Sequence, residues 1–133
     1  MRDATIDPGP RAQHPGTFKG LAEPPVVLPH IASLGVTHVH LLPIFDFYSV
    51  DETRLNEPQY NRGYDPLNYN APEGSYSTDP TDGAVRIREL KELVQAMHQQ
   101  GLRVVMDVVY NHTRLTQDSY FEVLAPGTFY RMN

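Results

Sequence analysis

The chain has 133 residues, a formal net charge of −5 and no cysteine. That length supports one modest core, the missing thiols exclude disulfides and thiolate metal sites, and the acidic balance without a basic block argues against nucleic acid. No apolar run approaches the roughly 20 residues of a membrane span. The start, "MRDATIDPGPRAQHPG", lacks the apolar centre of a secretory signal, and the sequence assigns no compartment.

Residues 1–25 are rich in Pro and Gly and read as loop. In "LPHIASLG", Leu28, Ile31 and Leu34 recur at helical spacing. Pro29 suits a first turn there, and Gly35 can close the helix. The β-branched, apolar run Val36 to Phe45 reads as a strand buried on at least one face. Residues 46–79 carry no periodicity and read as one long loop, "QYNRGYDPLNYNAPEGSYSTD" included. Loops of that length inside a domain are usually functional.

The strongest helix follows, with Ile87, Leu90, Val94 and Met97 as its apolar stripe and Leu93 beside it. Thr81 or Asp82 can cap its start and Gly101 its end. The next run, "LRVVMDVVYNH", is continuous rather than alternating, which predicts a parallel strand covered on both faces. Thr113 to Asn133 read as an irregular tail. Strand, crossover helix and strand make a parallel, right-handed unit. Ligands of such sheets bind at the carboxyl ends of the strands, so the tyrosine loop and the end of "DVVYNH" are expected on one rim.

Several side chains there suit chemistry. Asp107 interrupts an apolar run, so it needs a partner such as an arginine or a metal, or it is a structural ion pair or strand-end cap. Asn111 offers an amide oxygen to a hard cation such as calcium, or forms a turn. His112 is a donor for a ligand hydroxyl, or a packed histidine. Tyr64 and Asp65 sit between Gly63 and Pro66. A rigid ring beside a carboxylate fits the apolar face and the hydroxyls of a sugar. The alternative is a self-packed loop, a role assigned to Tyr60, Tyr69 and Tyr76. His38 and His40 share a strand face at metal-ligand spacing without a third ligand, and strand packing accounts for them better. Asp46 and Asp51 open the long loop and serve to solvate it.

The stretch from "QYNRGYDPLNYNAPEGSYS" to "DVVYNHT", with "GVTHVHLLPIFDFYSVDET" before it, closely resembles the type I pullulanases. These are α-1,6 debranching enzymes of the α-amylase superfamily. The resemblance runs over nearly the whole chain. It implies an α/β fold: part of a (β/α)8 TIM barrel, from about the end of strand one through strand three, with a long loop after strand two. Residues 1–133 then form a fragment of one catalytic barrel with no second domain. It also implies a retaining two-carboxylate mechanism on branch linkages of pullulan, starch or glycogen. The nucleophile and acid motifs of the family are not in this sequence, so the chain alone is expected to be inactive and to hold only substrate-binding residues.

By the same resemblance, Tyr64 stacks on the sugar next to the cleaved bond, with Asp65 beside it, and His112 bonds a hydroxyl of that sugar. Asp107 supports the site by pairing with an arginine of a later strand. Asn111 matches a calcium-ligand position of many α-amylases, and no cofactor is required. Arg62 stands where the family usually has tryptophan. The implied partners are an α-glucan and the remainder of the barrel. Two other readings compete: a non-catalytic carbohydrate-binding module derived from such a barrel, and a metal-dependent hydrolase using His38, His40, Asp107 and His112.

Overall fold

The computed structural model describes residues 1–7, 12–25 and 27–131. Its centre is a strand–helix–strand unit. Strand β1 (His38–Leu41) pairs in parallel with β4 (Arg103–Met106), in the register His38 to Arg103 through Leu41 to Met106. The crossover carries helix α3 (Gly83–Gln99). Both strands are shorter than their apolar runs. Leu41 still accepts the Asp107 N–H at 3.0 Å, but Pro43 has no N–H to continue the ladder.

Helix α3 begins where Asp82 accepts the Ala84 N–H at 2.8 Å. It ends where Gly101 takes φ +75° and the Leu102 N–H returns to the Met97 carbonyl at 3.0 Å. Its buried face is Glu89, Leu93 and Met97. This corrects the expected stripe: Ile87 is 47% exposed, and Leu93 lies on the core line rather than beside it.

The expected loop over residues 46–79 is largely ordered. Strand β2 (Phe45–Phe47) pairs antiparallel with β3 (Pro66–Pro72), with irregular register at both steps. One-turn 3-10 segments lie at Glu52–Arg54 and Gly74–Tyr76. Prolines at both ends of β3 and the bulged pairing erase the alternation by which strands are recognised in sequence. A further 3-10 segment at Arg2–Ala4 and three short helices complete the described elements. Helix α1 (Phe18–Ala22) lies inside the expected N-terminal loop, α2 (Leu28–Ser33) was expected, and α4 (Tyr120–Leu124) lies in the expected irregular tail. Helix α1 is capped by Thr17, which accepts the Gly20 N–H at 3.0 Å. A Cβ on Gly20 would lie 1.9 Å from the His14 carbonyl oxygen, so only glycine fits there.

The core joins these pieces. Phe18 and Leu21 of α1, Leu41 of β1, Ile44, Phe47 of β2, Leu93 and Met97 of α3, and Leu102 bury together. Tyr76 stands edge-on between Phe18 at 5.7 Å and Phe47 at 5.8 Å. The core therefore clamps the β2–β3 ribbon onto α1 and α3. The β4 strand departs from expectation. Val105, Met106 and Val108 are exposed, because β4 has a single neighbouring strand among the described residues and one open face. No helix among the described residues is long and apolar enough to cross a membrane.

Candidate functional site

The parallel pairing carries Asp107 to the carboxyl end of β4, one residue past the ladder. The segment before β3 arrives at the same rim. Gly63 is pressed against Pro43: a Cβ there would lie 2.8 Å from the Pro43 carbonyl oxygen, and its φ is +85°. Asn61 fixes the turn by accepting the Gly63 N–H at 2.6 Å and donating to Asp65 Oδ1 at 2.8 Å. Tyr64 is thereby delivered to the rim, and its hydroxyl donates to Asp107 Oδ2 at 2.8 Å. That hydrogen bond to a carboxylate holds the Tyr64 phenol above its ordinary pKa.

His112 closes the arrangement from the other side. Its Nε2 lies 2.9 Å from the Tyr64 carbonyl oxygen, which makes Nε2–H the donor and leaves Nδ1 as the other ring nitrogen. The His112 carbonyl accepts the Tyr69 hydroxyl at 2.8 Å. His40 adds a second imidazole, with Nε2 3.8 Å from Asp107 Oδ2. The result is an exposed ring, a carboxylate and two imidazoles on one strand-end rim. Such a surface can cover an apolar sugar face and exchange hydrogen bonds with its hydroxyls.

Tyr64, Asp107 and His112 are thus brought together, although 43 and 48 positions separate the bonded pairs in sequence. Asp65 faces elsewhere: Asn61 and the Ser49 hydroxyl donate to its two carboxylate oxygens, and its carbonyl accepts the Tyr48 N–H at 3.1 Å. Asp107 meets a tyrosine hydroxyl where the sequence suggested an arginine or a metal. His40 was set aside as strand packing. Its position opposite Val105 in the register, one step before the strand end, was the signal that could have placed it near Asp107.

Asn111 is exposed and opens onto an aromatic cleft with Tyr69, Tyr110, Phe121 and Phe129. Calcium takes six to eight oxygen ligands, and among the described residues no group of three acidic or histidine ligands gathers at Asn111. The one trio of carboxylates close enough to share an ion among the described residues is Asp46, Glu52 and Glu73, and Arg86 approaches two of its members.

Of the three tyrosines assigned to packing, Tyr76 is buried and Tyr69 packs on Tyr110 and Phe121 at 5.3 and 5.8 Å. Tyr60 does not: it is 71% exposed. Its hydroxyl accepts from Arg62 Nε at 2.8 Å, and the guanidinium lies over its ring at 5.9 Å.

The profile of the α-amylase catalytic domain matches residues 4–129. The chain belongs to the α-amylase catalytic-domain family. It is 49% identical over 116 residues to a pullulanase of Bacillus subtilis, covering 87% of this chain and 15% of that protein. It is 34% identical over 138 residues to the chloroplastic pullulanase 1 of Arabidopsis thaliana, covering 80% of this chain and 14% of that protein. In structure it is similar to the pullulanase of Paenibacillus barengoltzii in complex with maltohexaose and α-cyclodextrin. The TM-score is 0.95 at 53% identity, over 99% of this chain and 22% of that one. The pullulanase of Anoxybacillus sp. LM18-11 complexed with maltotetraose gives a TM-score of 0.91 at 44% identity, over 99% and 20%. The chain spans about 15% of the length of the first of these relatives.

Proposed function

We infer that these residues form part of the glucan-binding rim of an α-1,6 debranching glycosidase, within a (β/α)8 barrel that the 133 residues cover only in part. The observation that carries this is the Tyr64–Asp107–His112 constellation at the carboxyl ends of β1 and β4. Ligand sites of barrels sit at that end, and the similar Paenibacillus and Anoxybacillus pullulanases were crystallised with maltooligosaccharides. The exposed apolar residues of β4 suit further strands and helices of the same barrel.

In this reading Tyr64 is the platform beneath the sugar at the cleaved bond. Asp107 orients the Tyr64 hydroxyl, and Gly63 sets the height of the ring. His112 holds the Tyr64 carbonyl and, when a sugar hydroxyl competes for Nε2–H, hands that hydrogen bond to the ligand. None of these side chains acts as nucleophile or acid. A retaining glycosidase needs two carboxyl groups about 5 Å apart flanking the bond, and in this reading, as the family resemblance implies, that pair comes from outside these residues. Calcium enters no step.

The test is pullulan hydrolysis. The complete gene product is expected to release maltotriose, and the 133-residue chain alone to release no reducing sugar. Turnover by the short chain that disappears on substitution of one of its carboxylates would overturn the reading.

A further inference from the structure

Residues 113–130 fold back towards β3 and build a second aromatic surface next to the rim. Ser119 opens α4 by accepting the Glu122 N–H at 3.1 Å, and Glu122 in turn accepts the Gly127 N–H at 2.8 Å. Gly127 takes φ +71°, which suits the reversal of the chain there. Phe129 thereby returns to Phe121, with ring centres 5.2 Å apart, and the Tyr130 and Thr113 hydroxyls meet at 2.6 Å. Four rings now follow one another: Tyr110 to Tyr69 at 5.3 Å, Tyr69 to Phe121 at 5.8 Å, then Phe121 to Phe129. The two ends of the row are its exposed members, Tyr110 at 66% and Phe129 at 61%.

The rings line a cleft of about 280 Å³. That is just below the roughly 300–1,000 Å³ of sites for drug-sized ligands, which leaves room for a single sugar ring. Among the described residues no carboxylate, lysine or arginine lines it, so neither an anion nor a cation finds a counter-charge there. Its polar groups are hydroxyls and an amide. Thr113 gives its proton to the Leu115 carbonyl, so Tyr130 is the donor in its bond to Thr113, and the Tyr69 hydroxyl donates to the His112 carbonyl. Both phenol oxygens keep acceptor lone pairs. The Tyr110 hydroxyl and the Asn111 amide have no hydrogen-bond partner among the described residues. Uncharged aromatic faces edged by such groups match the C–H faces and hydroxyls of a neutral sugar. The surfaces that suit further parts of a barrel differ in kind: Val105 and Met106 of β4 and Val123 and Leu124 of α4 are exposed, apolar and non-aromatic, and lie outside the cleft.

We propose that this cleft is a second glucose subsite, which takes a further unit of the same α-glucan chain that lies on Tyr64. His112 belongs to both places. It lines the cleft, its ring bonds the Tyr64 carbonyl at 2.9 Å, and its own carbonyl is held by Tyr69 at 2.8 Å. The subsite rests on the proposed function and extends it away from the cleaved bond.

The complete gene product, with maltohexaose as the probe, tests it. Fluorophenylalanine is placed at Phe129 and, as a control, at Phe18, which is fully buried in the core. In a titration followed by fluorine NMR, the Phe129 signal is expected to shift saturably at the Kd found by calorimetry, with the Phe18 signal still. Tyr110→Ala and Phe129→Ala, at opposite ends of the ring row, are each expected to weaken binding roughly 2- to 10-fold, and Tyr110→Phe to keep most of the affinity. An effect of Tyr110 that ran only through Tyr69 to His112 would spare Phe129→Ala, and that result would overturn the subsite. So would a Phe129 signal that stays still while Tyr64→Ala weakens maltohexaose binding, which leaves the proposed function standing. A Phe129 fluorine shielded from a soluble gadolinium chelate in the free protein would show the cleft filled by the rest of the barrel and would equally overturn it. The fluorine titration needs neither alanine variant, so it decides the matter should one fail to fold. No maltohexaose binding by the complete gene product would overturn the subsite and the proposed function together.

Discussion

Replacing Gly63 by alanine tests how the rim is built. The residue has φ +85°, where an L side chain costs roughly 1–2 kcal/mol. The added methyl would also lie 2.8 Å from the Pro43 carbonyl oxygen and 2.9 Å from the Pro43 Cβ. Ordinary contact requires the two segments to separate by about 0.5–1 Å, and such overpacking costs about 1–3 kcal/mol. The total is about 2–5 kcal/mol of stability in the complete gene product, measured by urea unfolding. Tyr64 is the next residue, so the displacement reaches the ring directly. Misplacement of about 1 Å can cost about 10²-fold in rate, so kcat/KM on pullulan is expected to fall 10- to 100-fold, by about that same estimate. Gly35→Ala is the control: its φ is +74°, but nothing lies within 4 Å of the added methyl. It is expected to lose about 1 kcal/mol and no activity. If Gly63→Ala loses stability and keeps wild-type kcat/KM at equal folded fraction, Gly63 does not set the height of the Tyr64 ring.

Three other outcomes follow from the same geometry. Tyr64→Ala is expected to lower kcat by about 10²-fold while leaving the melting temperature nearly unchanged, and Tyr64→Phe, which keeps the ring and loses only the bond to Asp107, to fall between it and wild type in steady-state assays. His112→Ala is expected to lower kcat/KM by roughly 10- to 100-fold, with Gln restoring part of the loss because it keeps a donor; a glutamine variant no better than alanine would remove the donor role. Because the folded-state pKa of Glu73 is raised from 4.5 to about 7, its stabilising effect is complete below pH 4.5 and is lost as pH rises through 7. Urea unfolding at pH 5 and pH 8 should therefore differ by on the order of 3 kcal/mol from this group, and Glu73→Gln should remove that difference.

Much of this site was legible in the sequence because its parts are local. The Asp82 cap, the apolar line of α3 and Gly101 fixed the crossover helix, and the apolar runs on either side fixed the parallel pair. Their order alone placed the tyrosine segment and Asp107 on one rim. What escaped is held by contacts distant in sequence. The β2–β3 ribbon has no alternation to detect, since prolines bound β3 and the register slips at both steps. Helix α1 is five residues, too short for periodicity, and is secured by Gly20 against His14 and by Phe18 against Tyr76. The inward side of α3 was set by packing with α1 and the ribbon rather than by its own moment, which is why Leu93 displaced Ile87. Asp65 looked like a partner for Tyr64 in sequence, but consecutive residues diverge in an extended segment, and its carboxylate turned to Asn61 and Ser49.

The central claim is that this chain shapes the glucan-binding rim of a retaining α-1,6 debranching enzyme whose reacting carboxylates lie outside it. The most direct measurement is time-resolved proton NMR of a maltooligosaccharide with a single α-1,6 branch, incubated with the complete gene product. The account predicts loss of the α-1,6 anomeric signal alone, with the α-anomer of the released chain appearing before mutarotation. Cleavage confined to α-1,4 bonds, or first appearance of the β-anomer, would contradict it.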